Sequence, residues 1–209
     1  MAIKTHNRQA AVDWGVAARS LPGAAVSGDL HLVKVFANGF LLAVVDGLGH
    51  GNQAAVAAKT AVTILRKHAS EPVISLVKRC HRSLLMTRGA VMTLAAVDWR
   101  DESVSWVGVG NAAGILLRAD AAAIPATERL PLHGGLVGYQ LPKLQARKLA
   151  IQAGDLLIFA TDGIGDDFTS DLRREDSPQD IAERALAQHF KGNDDGLVLV
   201  ARYLGRNHE

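Results

Sequence analysis

The apolar run Leu41-Leu42-Ala43-Val44-Val45 ends abruptly in Asp46-Gly47-Leu48-Gly49-His50-Gly51, and an alanine-rich segment with helical spacing follows. A short, unbroken apolar run of this kind reads as a strand buried on both faces. A carboxylate at the end of such a strand is costly unless a cation or hydrogen bonds satisfy it. Glycines at 47, 49 and 51 permit unusual φ angles and let an ion or ligand approach the main chain, where a carbonyl oxygen can itself coordinate a metal. Two readings of Asp46 stay open on this stretch alone. It caps the following helix, or it binds a cation.

The rest of the chain limits the choices. Its 209 residues suffice for a sizeable core and read as a single domain over 1–209. A formal charge of +2, from 23 basic and 21 acidic residues, calls for neither nucleic acid nor an anionic membrane as partner. No apolar run approaches the roughly 18 residues of a membrane span, and residues 1–15 lack the apolar centre of a signal peptide. A soluble, cytoplasmic monomer is therefore expected. Cys80, the single cysteine, forms no internal disulfide and reads as a packing residue, because adjacent His81 points off another face of its helix.

In chain order, residues 10–19 read as a strand before the turn Leu21-Pro22-Gly23. Residues 29–36 and 40–45 form a hairpin through Ala37-Asn38-Gly39, where Asn-Gly favours positive φ, and the hairpin brings Asp29 beside Asp46. Residues 52–68 fit an amphipathic helix with Val56, Ala57, Thr60, Ile64 and Leu65 turned inward. Ser70-Glu71-Pro72 starts a second helix, with the serine as cap, reaching about Thr87. Residues 90–99, 103–109 and 112–118 read as a meander, and residues 130–151 as loop with short edge strands. The buried strand 156–160 ends in Thr161-Asp162-Gly163, repeating the carboxylate-glycine pair of Asp46-Gly47. Ser177-Pro178 opens a helix through Gln188, Asp194-Asp195-Gly196 precedes a last strand at 197–203, and residues 205–209 fray.

Asp29, Asp46, Asp162 and either Asp194 or Asp195 thus flank core strands with glycine beside or near them. Several buried strand ends carrying carboxylates imply a shared acidic cleft, whose repulsion hard divalent cations relieve best. Oxygen-only ligation favours Mg²⁺ or Mn²⁺ over zinc.

The ordered set Ser27-Gly28-Asp29, Val45-Asp46-Gly47-Leu48-Gly49-His50-Gly51, Gly110-Asn111-Ala112, Thr161-Asp162-Gly163-Ile164 and Asp194-Asp195-Gly196 resembles the PPM/PP2C-type serine/threonine phosphatases, in particular their bacterial SpoIIE-like branch. The resemblance implies an α+β fold, a four-layer αββα sandwich of two antiparallel sheets flanked by helices. It also implies two divalent cations, Mn²⁺ or Mg²⁺. Asp46 would bridge them, the Gly47 carbonyl would bind one, and Asp162 and Asp194 the other. Asp29 would act through a metal-bound water, so that Asp46 and Asp29 carry the catalysis. A water between two ions about 4 Å apart would attack phosphorus in line, with no phosphoenzyme. The implied substrates are phosphoserine or phosphothreonine on stressosome or STAS-domain proteins. The alternative is a catalytically silent pseudophosphatase that binds a partner.

The family pattern is not matched everywhere. Leu197 stands where a hydroxyl residue is usual, which keeps Asp195 as the alternative ligand, and Ala24, Ala25, Val26 and Ser27 fill the stretch where eukaryotic members carry an arginine for phosphate. Large flap insertions are also missing, which fits a cleft open to a folded protein. His50 is read as ordering the loop or facing solvent rather than as the acid, Asn111 either lines the cleft or satisfies a turn, Asp166 and Asp167 read as solvated, and His133 has no role.

Overall fold

The structure is a computed structural model; it describes residues 3–9, 11–170 and 172–205, the first segment by its main chain alone. The chain runs through β1 (Ile3–Gln9), β2 (Val12–Arg19), β3 (Asp29–Phe36), β4 (Gly39–Gly47), α1 (Asn52–Lys67), α2 (Val73–Leu84), β5 (Ala90–Asp98), β6 (Ser103–Val109) and β7 (Ala113–Leu117). It continues through β8 (Thr127–Arg129), β9 (Leu132–His133), β10 (Arg147–Ala150), β11 (Leu156–Ala160), α3 (Pro178–His189) and β12 (Gly196–Tyr203).

Side chains alternate across β4, and that alternation sets the layers. Leu41, Ala43 and Val45 pack beneath α1 and α2, whereas Phe40, Leu42 and Val44 face a second sheet. The strand is therefore apolar throughout because both of its faces are covered. The helix-covered sheet has the order β10-β6-β5-β4-β3, with the short β9 added parallel to β6. The other sheet is antiparallel throughout, with the order β1-β2-β12-β11-β7-β8. Trp106, Phe159, Leu199 and Tyr203 fill the space between the two sheets. On the far side, Ile181, Ala182, Ala185 and Leu186 of α3 cover Ile158, Val198 and Val200. These are the helix, sheet, sheet and helix layers of the expected sandwich.

Several local expectations change. Strand β1 is absent from the sequence reading, and residues 206–209, with Ala10, lie outside the described residues. The β3–β4 hairpin forms in the expected register, from Asp29 opposite Asp46 to Phe36 opposite Gly39. Its glycine serves another purpose, however. Gly39 has no positive φ, and a side chain there would run into the Val97 carbonyl on β5, so close strand approach is what demands it.

Helix α1 buries Ala54, Ala57, Ala58, Ala61 and Leu65 and leaves Val56 55% exposed, because only the small alanines fit against β4. Helix α2 begins after Pro72 without a side-chain cap; Glu71 instead accepts from Arg79 Nε at 2.7 Å and pairs with His68 Nδ1 at 3.0 Å. The helix stops at Leu84, whose carbonyl accepts from the Thr87 hydroxyl at 2.8 Å. Cys80 is fully buried in the core under α1, and burial pushes its thiol up to about 12, too high for a nucleophile. Among the described residues, no helix is long and apolar enough to cross a membrane.

Candidate metal centre

Both sheets end at the same cleft, and each delivers acids to it. The hairpin register puts Asp29 directly opposite Asp46, and the Gly47 N–H donates to the Gly28 carbonyl at 3.1 Å, closing that end of the hairpin. From the other sheet, β11 runs out into Thr161 and Asp162 and β12 is entered from Asp194 and Asp195. Thr161 joins the two halves. Its hydroxyl donates to Asp29 Oδ2 at 2.7 Å and accepts the Leu197 N–H at 2.9 Å. The Thr161-Asp162-Gly163 pattern gives this buried threonine no role, because its partner in space lies 132 residues away in the chain.

The glycines beside the acids are required by space. Gly47 has no positive φ, but any side chain there would collide with the Ala54 main chain of α1, and one at Gly163 would collide with the Asp195 carbonyl. Gly49 and Gly51 do adopt positive φ, 85° and 73°. Gly51 is the N-cap of α1, with no side-chain cap hydrogen bond and no acid in the first turn. Asp46 therefore does not cap that helix.

The two adjacent aspartates before β12 have different surroundings. Asp195 is 3% exposed; its Oδ1 accepts the Leu21 N–H at 2.7 Å and its Oδ2 the Gly28 N–H at 2.6 Å. Both of its oxygens thus hold the 20–28 loop against the sheet end. Asp194 is partly exposed and lines a pocket of about 410 Å³ together with Asn111, Asp162, Asp166, Lys191 and Asn193. Asn111 donates to Asp162 Oδ2 at 2.7 Å, so it lines the cleft and orients a carboxylate.

Burial is the largest influence on both hairpin acids and pushes each well above the ordinary carboxylate range. The Thr161 hydroxyl partly offsets this at Asp29, and repulsion among Asp29, Asp162, Asp194 and Asp195 adds to it at Asp46. Protons or cations must offset so much clustered negative charge. The donors are all oxygen, and the Gly47 carbonyl lies beside Gly28, where an added Cβ would come within 3.3 Å of it. Among the described residues, no three acidic, histidine or cysteine side chains close on one ion-sized point, so a main-chain carbonyl and water would complete any coordination shell. That matches the habit of Mg²⁺, which keeps several waters and takes few carboxylates. The residues present therefore fit a hard divalent cation.

Two further candidates, His50 and Asp167, lie outside this cluster. His50 is exposed on the loop before α1, and Asp167 is exposed and pairs with His189 Nδ1 at 3.0 Å. Asp166, expected to be solvated, is exposed but lies on the wall of the pocket.

The family model for stage II sporulation protein E (SpoIIE) matches residues 37–203, a span that takes in Asp46, Asp162 and Asp194. The chain belongs to the SpoIIE family. Over 179 residues it is 26% identical to the phosphoserine phosphatase RsbX of Bacillus subtilis (strain 168), covering 85% of this chain and 87% of RsbX. A chain solved in work on the bacterial stressosome, as a modular system adapted to control secondary messenger signaling, superposes with a TM-score of 0.82 at 30% identity. That match covers 91% of this chain and 99% of the other. RsbX crystallised in complex with magnesium superposes with a TM-score of 0.86 at 21% identity, over 96% of this chain and 100% of RsbX. The SpoIIE-family chain thus has the PP2C-type phosphatase fold that its motifs implied.

Proposed function

We infer that this SpoIIE-family chain is a metal-dependent phosphoprotein phosphatase acting on phosphoserine or phosphothreonine. The observation that carries the reading is the cleft itself: two sheets deliver Asp29, Asp46, Asp162 and Asp194 to one place, and the pair at its centre, Asp29 buried and Asp46 half-buried, needs positive charge. In this reading Asp46, the Gly47 carbonyl, Asp162 and Asp194 would hold two divalent cations, Mn²⁺ or Mg²⁺. When bound, such ions acidify a water and neutralise charge on the phosphoryl oxygens. The chain's own residues set the geometry. Thr161 fixes Asp29, Asn111 fixes Asp162, and Asp195 fixes the loop that carries Gly28.

The preferred substrates are phosphorylated stressosome or STAS-domain proteins; the likeness to a phosphoserine phosphatase and to a chain solved in work on the stressosome supports this reading. The test compares phosphate release from a phosphorylated STAS-domain protein, a phosphoserine peptide and free phosphoserine. The protein substrate should be preferred by roughly a hundredfold in kcat/KM, a few kcal/mol of remote binding energy. Equal turnover of all three would replace the protein substrate with a small phosphate ester.

The neighbouring acids should separate cleanly. Asp195→Asn places an amide donor against main-chain donors and should lower the unfolding free energy by about 3 kcal/mol, measured by urea titration. Asp194→Asn keeps an oxygen able to accept the Asp195 N–H and should leave stability within about 0.5 kcal/mol while greatly reducing metal-dependent hydrolysis. The opposite pattern would exchange the two assignments.

A further inference from the structure

The pocket beside the acids also contains a cation, Lys191, that the sequence patterns do not single out. It lies in the connection between α3 and β12 and is fastened at both ends to the turn after β11. Its main-chain N–H donates to the Gly163 carbonyl at 2.9 Å and its Nζ donates to the Asp162 carbonyl at 2.8 Å. The preceding residues reinforce this attachment: the Gly165 N–H donates to the His189 carbonyl at 2.8 Å, and Ile164 bridges to Phe190. A long side chain tethered in this way has already lost much of the rotamer freedom that would otherwise oppose binding.

Among the described residues lining the pocket, Lys191 carries the only positive charge, and it shares the wall with the side-chain amides of Asn111 and Asn193. An ammonium has three donors, and the Asp162 carbonyl takes one. A phosphate monoester needs several donors for its non-bridging oxygens. Residues 24–27, Ala-Ala-Val-Ser, bring no cation to the other side of the cleft. Arg19 is engaged over the Phe190 ring, 5.2 Å from its centroid.

We propose that Lys191, with Asn111 and Asn193, forms the anion subsite that holds the phosphoryl oxygens of the substrate beside the carboxylate cleft. The subsite rests on the phosphatase reading for its biological ligand, while its binding chemistry can be measured without turnover. Lys191 donates to a non-bridging oxygen, and its tether to the main-chain carbonyl of Asp162 keeps that donor beside an acid of the cleft.

The experiment is calorimetric titration of inorganic phosphate into the full chain in millimolar Mg²⁺, for the wild type, Lys191→Met and Lys191→Arg, with thermal melting to check folding. Losing one charge-assisted hydrogen bond should weaken phosphate binding roughly tenfold or more in Lys191→Met, and Lys191→Arg should recover most of it. With phosphoserine substrate, KM should rise by a similar factor while kcat changes less. Wild-type affinity in Lys191→Met, or no phosphate binding by the wild type, would overturn the subsite. Turnover in the same preparations keeps the two ideas apart. Phosphoserine hydrolysis insensitive to Lys191 sinks the subsite alone, and Lys191-dependent phosphate binding without any hydrolysis sinks the phosphatase reading alone.

Discussion

Asp46→Asn should cut phosphoserine hydrolysis in millimolar Mn²⁺ by on the order of a thousandfold, the scale of several kcal/mol of lost charge stabilisation. The same substitution should raise the melting temperature of the metal-free protein at neutral pH. Both effects follow from the position of Asp46 at the end of a strand buried on both faces, opposite Asp29 and within reach of three further carboxylates. An amide of the same shape has no charge for this setting to penalise and one oxygen fewer with which to hold the ions. A residue conserving only the fold would lose stability on substitution, and a pure helix cap would lose about 1 kcal/mol. Activity and metal-free stability moving in opposite directions would fit neither role. Kinetics with a phosphoserine peptide, paired with differential scanning calorimetry in EDTA, reads both.

Metal-free stability should fall as pH rises, and Mn²⁺ should reverse the trend. Asp46 and Asp29 sit well above the ordinary carboxylate range in the folded protein, so the folded state retains protons that the unfolded chain has released. Their contribution is intact below the unfolded value near 4 and is lost as pH climbs through the folded values. The loss amounts to as much as about 1.4 kcal/mol per pH unit for each proton retained. His31 acts oppositely at lower pH, because burial and Arg66 hold it down to about 4 and its stabilising neutral form is lost on acidification. The diagnostic window is therefore about pH 7 to about pH 9, above the ordinary histidine value. Urea titrations in EDTA should show stability declining across it, with a shallower decline in Asp46→Asn. In Mn²⁺ the slope should change sign, since a cation competes with protons for the same oxygens. A flat profile in EDTA would show that the acids are not strained by burial and mutual repulsion.

The acids were legible because carboxylate-glycine pairs at the ends of apolar strands are a local signal, and four of them in order, with Gly110-Asn111-Ala112 between, are specific. The sandwich became legible only through the family resemblance, since Phe40 to Val45 are apolar at every position and conceal which side chain faces which layer. Strand β1 gave no such signal: Lys4, His6, Asn7 and Arg8 have no apolar alternation, and its pairing with β2 comes from chain connectivity at the sheet edge. Gly39, Gly47 and Gly163 were visible as glycines, but what they make room for is a neighbouring main chain distant in sequence. Thr161, Lys191 and the division of labour between Asp194 and Asp195 depend on long-range hydrogen bonds, which no spacing rule encodes. The inward face of α1 was misjudged by weighting Val56 over alanines, although the close approach to β4 accepts only small side chains.

Whether this cleft is a metal-dependent phosphatase site is decided by phosphate release from a phosphoserine-bearing STAS-domain protein as Mn²⁺ is titrated from excess EDTA into the millimolar range. No release is expected in EDTA, saturable release as the ion is added, and none at any Mn²⁺ concentration with Asp46→Asn. Release that is equal in EDTA, or absent from the wild type at every Mn²⁺ concentration, would contradict the phosphatase reading.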